Sequence, residues 1–363
     1  MRLAQLLLLA LCSQLSSQFA YAEVSVYGSL RAGVVQVSGI KTDFRQRTEV
    51  NDFGSRIGFR GNEALGQIGQ AQVDTIWQIE QGFSIDGQQR GRRPLFANRE
   101  SFVGLSHPAL ALRLGNLLDV LGETTVTDVW IDAALAGQVK PLYTGIRLRY
   151  RGREYYNFED GTINNAIKLN SNYADGLNYS FIYAFHEQMN RSGMPKKPAN
   201  LLGARVSYQH NDFNTALAYQ EKSRFRGTEK TARVYRFELG KTVQRLTLLG
   251  TLQYAKLYDQ IFADDTLIYP SRDIVLRDYA ISTLYQLDDK VVLKGSVSRR
   301  RASNTPYHAD SLSAEQYSLG LDYHWTKRTR LFSQYGCVKH SYAVNDLGQR
   351  REHAMGIGIR HNF

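Results

Sequence analysis

The sequence predicts an all-β fold: a 16-stranded antiparallel transmembrane β-barrel with short turns at one end and long loops at the other. Three observations carry this. Apolar and polar residues alternate with period two in stretch after stretch, the pattern of a strand with one apolar and one polar face. The connections between these stretches alternate between short and long. The composition, 22 Tyr, 16 Phe and 30 Gly but only 7 Pro in 363 residues, suits many strands and tight turns better than helices.

The first 22 residues stand apart from this pattern. Arg2 gives a positive start, LAQLLLLALC an apolar middle, and Ala20-Tyr21-Ala22 a small-x-small cleavage site before Glu23. This reads as a secretory signal peptide over 1–22, with the barrel domain over 23–363. The apolar run is too short to span about 30 Å of hydrocarbon. Leu11 stands where a lipoprotein would need a small residue before Cys12. Once Cys12 is removed, Cys337 alone remains, so no internal disulfide and no cysteine-based metal centre is expected, and no cofactor. Beyond residue 22 there is no run of about 18 apolar residues, hence no membrane helix.

The strands then follow in order. In VSVYGSLRAGV (24–34), Val24, Val26, Gly28, Leu30 and Ala32 share one face, while Ser25, Tyr27, Ser29, Arg31 and Gly33 share the other. The first strand is expected over 25–37, and the same alternation recurs at 55–63, 69–83, 99–107 and 111–118. It resumes at 165–172, 177–186, 201–210, 213–225, 230–241, 245–260, 274–286, 290–301, 314–326, 329–342 and 353–363. Several of these stretches run ten residues or more. That length suits a tilted membrane strand rather than the strands of about 5–6 residues found in a sandwich. No blade motif of a propeller repeats. All seven prolines fall in connections, where a missing N–H harms no ladder. The final stretch, HAMGIGIRHNF, puts Met355, Ile357, Ile359 and Phe363 on the lipid parity and Arg360 and Asn362 on the other, with His361 out of pattern. Pairing it with 24–34 closes the sheet and leaves no edge in hydrocarbon.

If the apolar parity meets lipid, the polar parity meets the lumen. On it lie Arg31, Arg56, Arg99, Arg113, Lys168, Arg205, Arg236, Lys294, Arg300 and Arg360. That many charges do not fit a dry core, because unpaired burial costs several kcal/mol per ion. They imply a water-filled channel, which about 16 strands are wide enough to leave open. The cationic excess favours anions. Any one of these cations could instead pair with Glu63, Asp74, Glu80, Glu238 or Asp322 and only brace the wall.

One connection is out of scale. Residues 119–164 carry Asp119, Glu123, Asp128 and Asp132 in the first half and Arg147, Arg149, Arg151 and Arg153 in the second. A segment of this length is usually functional. It reads as a surface flap, as an added strand pair around 146–158, or as a loop folded into the lumen whose carboxylates oppose the wall arginines.

Several stretches resemble the general porins of Gram-negative outer membranes, the neisserial and β-proteobacterial type in particular. They are VSVYGSLRAGV (24–34), SRIGFRGNEALG (55–66), AQVDTIWQIEQ (71–81), NRESFVGL (98–105), ALRLGN (111–116), NNAIKLNSNYADGLNYSFIYAF (164–185) and GIGIRHNF (356–363). The resemblance implies a homotrimer in the outer membrane, an inward-folded third loop over 119–164, and passive diffusion of small hydrophilic solutes. It places the basic wall at Arg56 and Arg99, with Arg31 on the first strand and Lys168 after the third loop. It makes Phe363 part of the signal read by the barrel-assembly machinery, and it implies outer-membrane lipid and lipopolysaccharide as surroundings. Asn116 stands where many relatives carry Arg, and the acidic Pro-Glu-Phe-Gly-Gly type of loop motif is absent.

A substrate-specific anion or phosphate channel is the alternative function, with the loop arginines as guides. An outer-membrane barrel enzyme is a further one, but no Ser-His or paired-carboxylate constellation stands out, so none is expected. The signal peptide and lipid-facing periodicity disfavour nucleic acid as a partner, despite a pI near 9.5.

Overall fold

The computed structural model describes residues 23–39, 46–87, 96–123, 129–130, 140–144, 146–150, 153–158, 161–171, 176–185, 200–223, 230–259, 262–263, 267–268, 272–303, 313–341 and 350–363. The strands of the main sheet are β1 (Glu23–Ser38), β2 in two segments (Gln46–Asp52 and Arg56–Ile68), β3 (Ala71–Gly82), β4 (Ser101–Ser106), β5 (Leu110–Leu118), β6 (Thr162–Ser171), β7 (Leu177–Ala184) and β8 (Leu201–His210). They continue as β9 (Phe213–Lys222), β10 (Ala232–Val243), β11 (Leu246–Asp259), β12 (Arg272–Gln286), β13 (Val291–Ser303), β14 (Ser313–His324), β15 (Thr329–Ser341) and β16 (Arg350–Asn362). Each pairs antiparallel with the next. β1 also pairs with β16, from Ser29 opposite Asn362 to Ser38 opposite His353, which closes the barrel.

The barrel is built inside out relative to a water-soluble core. Polar side chains such as Gln220, Arg236, Gln253, Asp278 and Gln316 are buried in the interior. Large apolar ones such as Leu217, Ile281, Leu319 and Ile357 are more than half exposed on the outside. Period-two alternation sends one parity to each environment, and lipid is the solvent that accepts the outer one. The turns at one end are tight: Asn211 and Gln244, in the β8–β9 and β10–β11 turns, adopt left-handed φ of 49° and 53°.

The second strand differs from the expected 55–63. It runs from 46 to 68 with a break at 53–55, and both segments pair with β1. The break has a local cause. The Asp52 carboxylate accepts hydrogen bonds from the N–H groups of Gly54 (2.8 Å) and Ser55 (3.1 Å), an Asx turn that competes with the ladder. Gly54 takes φ of 85° there, open to glycine without strain. Because 46–52 is nearly all polar, its alternation is invisible in the sequence.

Among the readings weighed for 119–164, two hold together. Residues 119–123, 129–130 and 140–144 lie against lumen-facing residues of the wall. Ile146–Tyr150 and Arg153–Phe158 form a separate two-stranded sheet. The inward part sits on three apolar patches of the inner wall. Val120 joins Leu117, Ala166, Ile182, Ala184 and Leu201. Leu121 joins Ala218, Val234, Ala255, Leu257 and Leu276. Trp130 joins Val35, Val37, Phe53, Phe332 and Ala354. The signal-peptide region 1–22 and most of the connections at 186–200, 259–273 and 299–315 lie outside the described residues.

Candidate functional site

The lumen wall of β1–β4 and β15–β16 is basic. Arg31 on β1 is the lateral partner of Arg360 on β16, and Arg360 is the partner of Arg330 on β15. Three guanidinium groups therefore stand side by side across three strands. Arg56 on β2 lies opposite Ser29, on the same face as Arg31. Arg31 is buried, with its Nε donating to Ser29 Oγ at 2.9 Å. Arg360 Nε donates to Asn362 Oδ1 at 2.8 Å.

Among the described residues, Glu80 and Asp322 pair with this wall. Glu80 on β3 takes Arg99 Nε at 2.5 Å, Arg56 Nε at 3.5 Å and the Tyr27 hydroxyl at 3.1 Å. Asp322 on β14 takes Lys294 Nζ at 2.8 Å and Arg330 at 3.0 Å. Six cations and two carboxylates are thereby brought together among the described residues of this wall.

The inward loop is fixed to the opposite wall by a second set of charges. Arg236 on β10 donates to the carbonyls of Leu121 (2.7 Å) and Tyr143 (3.1 Å), and its guanidinium lies 5.0 Å from the Tyr143 ring. Arg300 on β13 forms a two-point ion pair with Asp278 on β12, at 2.7 and 2.9 Å, and donates to the Leu142 carbonyl at 2.6 Å. Gln253 bridges Arg236 and Asp278. The loop answers with donors of its own: Leu142 N–H to Ser298 Oγ, and the Trp130 indole N–H to Ser296 Oγ at 2.8 Å. Lys294 Nζ lies 5.1 Å from the Trp130 ring.

At the loop root, Lys168 is 1% exposed and bonds the Leu118 carbonyl (2.7 Å) and Glu123 (2.5 Å). Lys168 therefore lies under the loop, where an open stretch of wall was expected. Glu123 also accepts from Ser180 and Asn170. Burial works to raise the pKa of the Glu123 carboxyl, but the Lys168 ammonium, hydrogen bonds from Lys168 and Ser180, and the Arg205 charge outweigh it and hold it below the ordinary glutamate value. Asp119 is fully buried, taking Gln220 Nε2 at 2.9 Å and the Gly122 N–H at 2.6 Å. The two described loop carboxylates thus anchor the root; they do not face Arg31, Arg56 or Arg99. Asp128 and Asp132 lie outside the described residues.

Arg113 is separate from both sets. Its guanidinium lies 5.0 Å from the Phe102 ring, at the edge of a cavity of about 330 Å³ shared with Glu100, Glu123 and Lys168. Sequence reasoning missed Arg330, Asp278, Gln253 and Trp130. The first two carry the lumen parity of their strands and could have been found from it. Phe363, at the end of β16, lies on the outer face with its ring over Gly28, and the two residues exchange backbone hydrogen bonds at 3.1 and 3.2 Å.

Comparison with known proteins agrees with this architecture. The major outer membrane protein P.IB of Neisseria gonorrhoeae is 30% identical over 370 residues, covering 95% of each chain. That of Neisseria lactamica is 25% identical over 372 residues, again covering 95% of each. Among solved structures, the anion-selective porin from Comamonas acidovorans matches with a TM-score of 0.69 at 19% identity, covering 94% of this chain and all of that one. The trimer form of OmpT from Vibrio cholerae matches with a TM-score of 0.61 at 13% identity, over 94% of this chain and 99% of that one. Residues 7–341 match the family described as Gram-negative porin. With a closed sixteen-stranded barrel, a charged lumen and an inward loop, the chain belongs to that family, the channel-forming barrels of the Gram-negative outer membrane.

Proposed function

We propose that this porin passes small hydrophilic solutes by passive diffusion and prefers anions, with Arg31, Arg56, Arg99, Arg330 and Arg360 as the selecting wall. The row Arg31–Arg360–Arg330 carries the reading, since three adjacent guanidinium groups attract anions and repel cations at close range. The anion-selective Comamonas porin shares the fold and lends support. Lys168, Glu123 and Asp119 act as loop anchors in this proposal, and catalysis has no part in it. A reversal potential measured across a planar bilayer in a KCl gradient tests the preference; a potential of the sign expected for K⁺ selectivity overturns it.

The same reading includes a homotrimer. Outward tyrosines ring the extracellular half of the barrel from Tyr183 on β7 through Tyr219, Tyr235, Tyr254, Tyr279 and Tyr317 to Tyr335 on β15. The described outward positions of β1–β6 hold no tyrosine. Aromatic girdles form where a barrel meets the lipid interface, so the tyrosine-free face is the one suited to packing against another copy. Val34→Lys on that face should convert trimers to monomers on unheated gels, and an undisturbed trimer band would refute this placement.

A further inference from the structure

At the root of the inward loop the lumen wall holds two opposite charges that do not meet. Arg113 on β5 and Glu100, just ahead of β4 and on the same inward parity, line one cavity of about 330 Å³. Among the described residues neither has an ion-pair partner within 4.0 Å, and they do not pair with each other. Arg113 has the Phe102 ring at 5.0 Å, and its Nε is buried without a hydrogen-bond partner. The Glu100 carboxylate accepts one long contact, from the Leu118 N–H at 3.4 Å. The other charges lining the cavity are already paired: Lys168 with Glu123 at 2.5 Å, and Arg205 with Glu238 at 3.6 Å.

A third group on the same lining has unused capacity. Asn170 donates its Nδ2 to Glu123 at 3.0 Å, which fixes the amide and leaves its Oδ1 buried without a partner. Buried polar atoms are normally hydrogen-bonded, and leaving them unmade costs free energy that a ligand can recover. A simple anion would satisfy Arg113 and be repelled by Glu100, and a simple cation would do the reverse. A solute carrying an ammonium and a carboxylate meets both, with a charge-assisted hydrogen bond at each end.

We propose that this cavity is a seat for small zwitterions of the free amino acid class, with the solute's carboxylate on the Arg113 guanidinium and its ammonium on the Glu100 carboxylate. The seat lies on the lumen face near the β4–β5 turn, at the short-turn end of the barrel. Weak capture there raises the occupancy of a dilute solute without trapping it, which is what a binding site along a conducting path requires. Such a seat presupposes the diffusion pathway proposed above and is independent of the Arg31–Arg360–Arg330 row.

The test compares three ligands by ligand-observed NMR on the full chain in detergent micelles: L-alanine, propionate, which lacks the ammonium, and ethylamine, which lacks the carboxylate. Planar-bilayer recording of the same samples in KCl reads conduction separately. The wild type should hold L-alanine about tenfold more tightly than either fragment. Arg113→Gln should weaken L-alanine by about the same factor and erase its advantage over ethylamine. Glu100→Gln, which keeps an acceptor for the Leu118 N–H, should instead erase the advantage over propionate. Both variants should still give conductance steps, the sign of a formed barrel. Equal binding of the three ligands by the wild type overturns the seat, as does L-alanine binding unchanged in both variants. A variant that weakens all three ligands equally overturns the role given to its charge. L-alanine binding without conductance steps would sink the diffusion reading alone.

Discussion

Trp130 is the residue whose loss should most disturb the pore. Its indole is fully buried in the interior, in van der Waals contact with Phe332 and its neighbours. Gly320 on β14 makes the seat: a Cβ there would come within 2.8 Å of the ring. Truncating a buried Trp to Ala costs about 3–5 kcal/mol. The lost hydrogen bond to Ser296 accounts for about 1 of this and the Lys294 contact for about 0.5–1. At about 1.4 kcal/mol per tenfold, even the lower figure shifts the docked-to-undocked ratio of the loop by more than about 100-fold. Single-channel recording of Trp130→Ala should show added current noise and a changed open conductance, with the barrel's heat-resistant gel mobility retained. Gly320→Val should produce the same trace by filling the seat. Because both changes remove one contact, the double variant should be little worse than either alone. If Trp130→Ala conducts with the level and noise of the wild type, docking through this residue does not shape the pore.

Three further outcomes follow from the same geometry. Replacing Arg31, Arg330 and Arg360 by Gln should cut anion preference in a KCl gradient, and raising salt toward 1 M should do so in the wild type, as the screening length falls to about 3 Å. Glu123 has its pKa depressed in the folded protein, so its stabilisation of the loop root is complete above the ordinary value of 4.5 and is lost as pH falls through the lower folded value; wild-type current noise should therefore rise on acidification below about pH 4.5, and Glu123→Gln should show no such pH step. Deleting Phe363 removes a ring packed on Gly28 and two closing hydrogen bonds, a loss of about 1–3 kcal/mol at the seam; the variant should unfold at lower temperature on heat-shift gels and accumulate less in the outer membrane.

The strands were legible because a membrane reads one parity and water the other, so each alternating stretch announces itself without reference to its partners. All sixteen are found this way, and Ile357, Ile359 and Phe363 face outward as their spacing requires. The upper part of β2 was hidden because residues 46–52 are polar on both faces. The site was less legible than the strands. Lumen parity identifies Arg236 and Arg300 as inward, but whether they face open water depends on the path of a loop more than 90 residues away in sequence. Lys168 and Glu123 are 45 positions apart and meet only because β6 returns beside the loop root. Asp278 pairs with Arg300 through the lateral register of β12 on β13, which no single strand's pattern encodes.

The carbonyl contacts of Arg236 and Arg300 have a consequence for how such a channel can change. The wall grips the loop by main-chain oxygens of Leu121, Leu142 and Tyr143, atoms that every residue type supplies. Trp130 aside, side chains between these grips can be exchanged without loosening the main-chain hold, so the loop behaves as a replaceable insert in a fixed frame that keeps one indole seat. Pore chemistry and barrel architecture are then separately adjustable, and new permeation properties can be written into the insert while the frame stays as it is.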